Sequence, residues 1–520
     1  MFPKNKFTLV AFALLTLSAL IIAGCSSDYA AIANQNSADQ VVQEDQVGGV
    51  ILRVANHPIV QTDPALISSD SEVFVANAVY DYLVDVDARS NLVPRLATEW
   101  SVSEDGLVYT FTLAENVSFH DGSPFSAADV VWSFDRLRDP ELGFASSSLY
   151  SNIVSIEAAG ESSVVFTLES PNPFFLYDLS DNHALMIKNG TTDAGDFNGT
   201  GPFTVVEYNP EDRIILQANP EYFIAGQPLL DGVEIIFFPD DIAMIDALRG
   251  GQVDLVMRMS TALFESLQTE DGIETVAIPT NGFDLIRLRS DREPGNNPLV
   301  IEAFKRATDR QAILGLVHQG FGAVGNDSPI GPLYDSYHDA SVSPASRDVE
   351  AAKALLADAG YPDGIELTLH VPDSGSRPDL AVVLQQQWAE ANIFVEISVE
   401  PESVYYGENG WLEVDLGITG WGSRPYPQFY LDVMLVSGAE WNEAHFADAE
   451  FDALAQIAGS TLDEAERIAA YSQIQQLLVE RGPVIIPYYF AQFGAINTAF
   501  AGFELKAFPG RTDLRTIFQP

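Results

Sequence analysis

Between residues 107 and 113 apolar side chains fall on every second position, Leu107, Tyr109, Phe111 and Leu113, with threonines at 110 and 112. A period of two puts those four on one face of a strand. TEWSVS precedes it, and Glu104-Asp105-Gly106 between the two runs is a turn signal, so the pair is expected to form a hairpin. ILRVAN (51–56) opens an earlier strand, and Thr62-Asp63-Pro64 marks the turn beyond it. The spacing then changes. Val73, Ala76, Tyr80 and Leu83 recur at three to four residues and predict a helix over 71–83. Ser126-Ala127-Ala128-Asp129 begins another, with serine and aspartate placed to satisfy its first backbone N–H groups. Short strands return from 150 to 240.

The second half has a different rhythm. Strand IELTLHV (365–371) leads to a helix near 378–391, then to strand IFVEISV (393–399), an irregular stretch, and strand VDLGIT (414–419). Helices are expected over 298–308, from Asp309 to a stop at Gly320, and over 349–359, ended by Gly360 with Pro362 beyond. Strands alternating with helices at this spacing predict a partly parallel α/β unit. In open α/β sheets ligands lie beyond the carboxyl ends of strands. Two loops occupy such positions and each carries an arginine: VPDSGSRPD (371–379) with Arg377, and GWGSRP (420–425) with Trp421 and Arg424, two and five residues past Thr419.

Length changes the picture first. The 520 residues exceed what one core organises and imply about two or three domains. With 47% apolar and 11% aromatic residues and mixed charge, the bulk of the chain reads as globular, and its one long uncharged apolar stretch is N-terminal. Lys4 and Lys6, the apolar run 7–23 and the small residues before Cys25 have the three parts of an export signal. Ile22-Ala23-Gly24-Cys25 resembles the lipobox of prokaryotic lipoproteins, which implies removal of residues 1–24 and lipidation of Cys25. Cys25 is the only cysteine, so no internal disulfide can form and its thiol needs another purpose. Residues 25–48, polar and without apolar periodicity, then read as a flexible tether.

Charge excludes one class of partner. Lys plus Arg number 26 against 74 Asp plus Glu, a formal net charge of −48, and only six residues are lysine. A phosphate backbone would be repelled, so nucleic acid is not a partner. Such self-repulsion strains a compact state unless salt screens it. The seven histidines, at 57, 120, 183, 318, 338, 370 and 445, show no pair at metal-ligand spacing, and no metal or other cofactor is expected.

One segment is more specific than any periodicity. LATEWSVSEDGLVYTFTLAENVSFHDGSPFSAADVVWSFDRLRDP (96–140) resembles the signature region of the extracellular solute-binding proteins of ABC importers, in the family of oligopeptide, dipeptide and nickel binders. The resemblance continues in order through 199–223, 246–256, 304–322 and 451–490. It implies a two-lobed α/β clamp of the periplasmic-binding-protein type. Residues 49–71, 199–278 and 489–520 would form lobe 1, residues 72–198 a subdomain inserted in it, and 279–488 lobe 2. The implied function is capture of a small solute or short peptide by hinge closure and delivery to a permease and its ATPase. The protein would be a monomer held to the membrane through lipid on Cys25, in the periplasm or on the outer face of the cytoplasmic membrane. An exported hydrolase and a chemosensory module on the same clamp are the alternatives. No Gly-x-Ser-x-Gly or His-Glu-x-x-His motif supports the first, and the protein is not expected to be an enzyme.

The same resemblance gives Arg424 its interest. In peptide-binding members the third residue after the Gly-Trp tryptophan is an aspartate that neutralises the peptide's amino group; here that position is Arg424. A guanidinium in a closing cleft needs an anion. A ligand carboxylate would suit its planar fork, while Asp415 and Asp432 are candidate internal partners. Trp421 is expected as cleft wall, Trp441 and Asn442 match a family position near the cleft, and Ser69 and Asp70 lie on the first-lobe loop that reaches the ligand in relatives. Arg377 completes the candidate set.

Overall fold

A single strand of 16 residues, Ile273–Leu288, ties the molecule together. In the computed structural model, which describes residues 49–520 other than 145, 408, 409 and 509, this strand belongs to two neighbourhoods. Its first part pairs antiparallel with Tyr488–Asn497, from Ile273 opposite Asn497 to Pro279 opposite Ala491. The register then slips, so that Phe283 stands opposite Tyr489, and on the strand's other edge Phe283–Leu288 pairs antiparallel with Leu416–Trp421, Phe283 opposite Trp421. Gly282 sits in the slip because nothing larger fits: a Cβ there would stand 2.9 Å from Phe490 and 3.1 Å from the Trp421 carbonyl. The export-like segment, Cys25 and the tether lie outside the described residues.

From this junction the sheet extends both ways. On one side come Leu416–Trp421, Ile365–Pro372 and Ile393–Glu400, the last two parallel to each other. On the other come Tyr488–Asn497, Leu255–Val256, Ile51–Asn56, Gly232–Phe237, Arg213–Ala218 and Phe203–Asn209. A separate antiparallel sheet of four strands holds the expected hairpin, Ala97–Val102 with Val108–Leu113, and Gly106 takes the left-handed conformation in its turn, at φ +70°.

The apolar side chains divide accordingly. One core joins the four-stranded sheet to Leu52, Val54, Val233 and Ile235, with Ile496 and Ile517 from the C-terminal stretch. Two others draw on the span from Phe283 to Tyr489. These define a first and a second lobe, the two-lobed α/β clamp that the resemblance implied. A buried ionic cross-link fastens the C-terminal stretch to the first lobe: Asp85 is met by Arg95, Arg511 and Lys506.

Local signals resolve most helices. Asp309 caps Arg310–His318 by accepting the Ala312 N–H at 2.9 Å, and the carboxylate of Asp129 accepts the Ser126 N–H at 2.7 Å at the start of Ala127–Leu137. Two boundaries depart from expectation. The first helix is Asp70–Val79 and stops before Leu83, because Tyr80 turns extended and its segment packs against Gly199 and Gly201. The strand expected over 414–419 is Leu416–Trp421, since pairing with Phe283 carries it through Gly420. Trp421 therefore ends the strand, and Arg424 follows it by three residues.

Candidate functional site

Trp421 is held from behind. Its indole N–H donates to Glu443 Oε1 at 3.3 Å, and Glu443 also accepts from the Thr419 hydroxyl at 2.7 Å and from Arg287 at 3.3 Å. Arg287 and Glu443 are fully buried, so each charge is supported by the other. Burial pushes the Glu443 carboxyl up, and Arg287 and the two hydrogen bonds limit the rise. The result is a fixed tryptophan, 8% exposed, whose ring centroid lies 6.1 Å from that of Trp441, itself 39% exposed. The two indoles form an aromatic wall at the strand's carboxyl end.

Arg424 lies just past this wall. Its backbone carbonyl accepts from the Tyr334 hydroxyl at 2.7 Å, and its guanidinium rests 4.7 Å from the Phe429 ring centroid. Among the described residues it forms no ion pair. Both internal carboxylates named as alternatives are taken elsewhere: Asp415 by Arg292 at 2.5 Å, and Asp432 by the Gln428 amide at 2.7 Å. Burial without a cation raises Asp432 to about 6.

The other candidates divide. Arg377 leans on Asp284 at 3.0 Å and on the Ser374 hydroxyl at 2.6 Å, so its charge is already met. It lies so close over the Leu416–Trp421 strand that a Cβ on Gly420 would fall 1.9 Å from its Nη2. The Asn442 amide is consumed by its own turn, donating to the carbonyls of Val436 and Phe446 and accepting the Phe446 N–H. Ser69 is the helix cap, accepting the Glu72 N–H at 3.3 Å, and Asp70 pairs with the exposed Arg258 at 2.8 Å. Glu72 gathers the N–H groups of Val60, Gln61, Ser68 and Ser69, which fixes the loop ahead of that helix.

The first lobe supplies a facing wall that the sequence did not disclose. Tyr426, two residues past Arg424, donates its hydroxyl to Asp178 at 2.5 Å, and the Phe174 ring stacks on Tyr426 with centroids 5.0 Å apart at 14°. Phe174 thereby joins the second lobe's core. Three residues beyond Asp178, Asp181 pairs with His183 at 2.6 Å, and the other ring nitrogen of His183 lies 3.0 Å from the Ile67 carbonyl. Burial works against the Asp181 charge, but the His183 bond, with Arg424 contributing, brings its carboxyl down to about 2. Nothing in local spacing marks 174–183; only the contact across lobes makes these residues part of the site.

Residues 91–442 match the family model described as bacterial extracellular solute-binding proteins, family 5 Middle. Heme-binding protein A of Haemophilus influenzae is 28% identical over 535 aligned positions, covering 95% of this chain and 97% of that protein. Di/tripeptide-binding protein 1 of Pseudomonas aeruginosa is 27% identical over 467, covering 81% and 85%. Among solved structures, the ABC transporter-associated periplasmic binding protein DppA from Helicobacter pylori, in complex with peptide STSA, superposes with a TM-score of 0.75 at 26% identity, covering 90% of this chain and 98% of that one. No helix among the described residues is long and apolar enough to cross a membrane. With more than half of its length matched by the family model and the clamp fold in common, the chain belongs to family 5 of the bacterial extracellular solute-binding proteins of ABC importers.

Proposed function

We propose that this protein captures a small carboxylate-bearing solute, peptide-like in size, between its lobes outside the cytoplasmic membrane. Arg424 is the anion anchor and Trp421 with Trp441 the apolar wall. One observation carries the reading: in a chain with 74 acidic residues, the Arg424 guanidinium meets no carboxylate among the described residues, although Asp415 and Asp432 are near in sequence. A partly buried guanidinium without an anion is costly, and a bidentate carboxylate repays that cost. Two of the relatives, di/tripeptide-binding protein 1 and the DppA structure in complex with peptide STSA, are in keeping with a carboxylate-ended solute of that size.

In this reading the hinge is the register slip Pro279–Phe283 together with 489–491, with 49–71, 199–278 and 489–520 on one side, 72–198 inserted there, and 279–488 on the other. The lobes close on the solute and open against a permease and its ATPase. Lipid on Cys25 keeps the monomer beside them, which intact-mass measurement of membrane-extracted protein would test. For the solute, mass spectrometry of small molecules released on denaturing freshly purified protein is decisive. A released compound without a carboxylate, or one bearing only positive charge, would defeat the reading.

A further inference from the structure

The wall opposite Arg424 has a feature that anion anchoring does not use. Both ring nitrogens of His183 face acceptors, Asp181 Oδ1 at 2.6 Å and the Ile67 carbonyl at 3.0 Å. Only a doubly protonated imidazole donates to both, so His183 carries a proton that its neighbours retain. Its own pKa agrees: burial would lower it, but the Asp181 bond and charge raise it.

The loop is braced from the far side. Arg511, buried and already paired with Asp85, donates to the Ser180 carbonyl at 2.6 Å and to Asn182 Oδ1 at 3.2 Å. The Ala184 N–H closes the turn on the Asp181 carbonyl at 2.8 Å. A braced loop of this kind presents its side chains without reorganising. Asp181 and His183 nevertheless keep 27% and 25% of their side-chain surface open. The His183 backbone N–H and Nδ1 both bond to Asp181 Oδ1; Oδ2 has no hydrogen-bond donor among the described residues.

The segments 178–183 and 424–426 are brought together by the Tyr426–Asp178 bond and the Phe174–Tyr426 stack, and the Arg424 charge acts on both Asp181 and His183. Arg424 and Asp181 still form no ion pair. Two opposite charges on segments joined by the Tyr426–Asp178 bond, and not paired with each other, fit a guest that bears both kinds of group. His183 has no donor left to offer, and the open atom of the Asp181–His183 pair is an acceptor, Asp181 Oδ2.

We infer that Asp181, aimed by His183, is the first-lobe contact for the solute, accepting a hydrogen bond from its ammonium or amide N–H while Arg424 holds its carboxylate. A simple organic acid, which has no N–H group to offer, would leave this contact unmade. This rests on the Arg424 reading and narrows it. His183 is a positioning residue in this arrangement.

The test presents the full chain with three probes, read by native mass spectrometry and calorimetry: a mixture of free di- and tripeptides, the same mixture with amidated C-termini, and a mixture of simple mono- and dicarboxylic acids. The free peptides should be retained and the other two should not. For a retained peptide, Asp181→Asn should weaken binding roughly tenfold or more, as for a lost hydrogen bond to a charged group. His183→Ala should lose a similar factor, and His183→Gln, which can still donate to Asp181, should recover part of it. Binding lost in Arg424→Ala but unchanged in Asp181→Asn would overturn this inference and leave the anchor standing. Retention of the simple acids, or of none of the three probes, would overturn it as well. Unchanged binding in Arg424→Ala would strike the anchor itself.

Discussion

The hydroxyl of Tyr426 donates to Asp178 Oδ1 at 2.5 Å, a hydrogen bond between the two lobes in which both partners are almost wholly buried. The Asn172 amide holds the other carboxylate oxygen at 2.7 Å. Asp178 is thus a carboxyl enclosed where the two lobes meet, with Asp181 and Asp432 as acidic neighbours and Tyr109 and Tyr150 as phenolic ones.

Closure should therefore take up a proton. Burial lifts Asp178 to about 7, the Tyr426 and Asn172 bonds pulling down and Asp181 and Asp432 pushing up. In an open form, with water restored, its value would fall towards that of an ordinary carboxylate, about 3.9. The closed-state pKa is the higher one, so the closed form gains most at low pH and loses that advantage as pH rises through about 7. Solute affinity should drop roughly tenfold or more between pH 5 and pH 8, each unit of pKa difference being about 1.4 kcal/mol. Calorimetry across this range checks it, and Asp178→Asn should flatten the profile. A flat wild-type profile would contradict the clasp.

Phe174 is the apolar half of the same contact. Its ring stacks on Tyr426, meets Tyr337 edge-on at 6.0 Å, and lies 5.7 Å from the Arg467 guanidinium. Phe174→Ala should cost the closed form about 2–3 kcal/mol, the worth of burying such a ring. Small-angle scattering should then show a larger radius of gyration, with the melting temperature changing little.

Arg424→Ala should weaken solute binding by roughly 2–5 kcal/mol, the range for a desolvated charge pair broken on one side. Arg424→Lys, with a point charge in place of a planar fork, should recover only part. Titration calorimetry of the co-purified compound reads both, and equal affinities in all three proteins would remove the anchor.

Glu443→Ala strands Arg287 in the core. The expected loss is about 3–5 kcal/mol of stability, as for other buried pairs cut on one side. Urea unfolding measures this. Tryptophan emission should shift in the native baseline, since the Trp421 indole loses its acceptor.

Gly420→Ala probes the close approach of Arg377. With 1.9 Å between the new Cβ and Nη2, the guanidinium must leave Asp284, a change expected to cost about 1–3 kcal/mol. An unchanged melting curve would show that the arginine relocates freely.

How much was legible depended on the range of the interaction. The hairpin over 97–113 and the helix starts at Ser126 and Asp309 follow from residues a few positions apart. The strand expected over 414–419 was displaced because its end answers to Phe283, far away in sequence. Asn442 was expected beside the cleft from family position and Arg377 from its loop beyond a strand's carboxyl end, yet the hydrogen bonds of one serve its own turn and the charge of the other is met by Asp284.

By itself the sequence determined the family, the clamp architecture and the presence of an arginine where relatives carry an acid, because long ordered motifs, periodicity and caps are written in local spacing. Tertiary structure alone decided which charges are spent and which remain. Whether Arg424 meets Asp415, Asp432 or neither, and whether Asp178 and Asp181 stand opposite it, turns on distances across a cleft that chain order does not encode. Charge compensation is a property of neighbours in space.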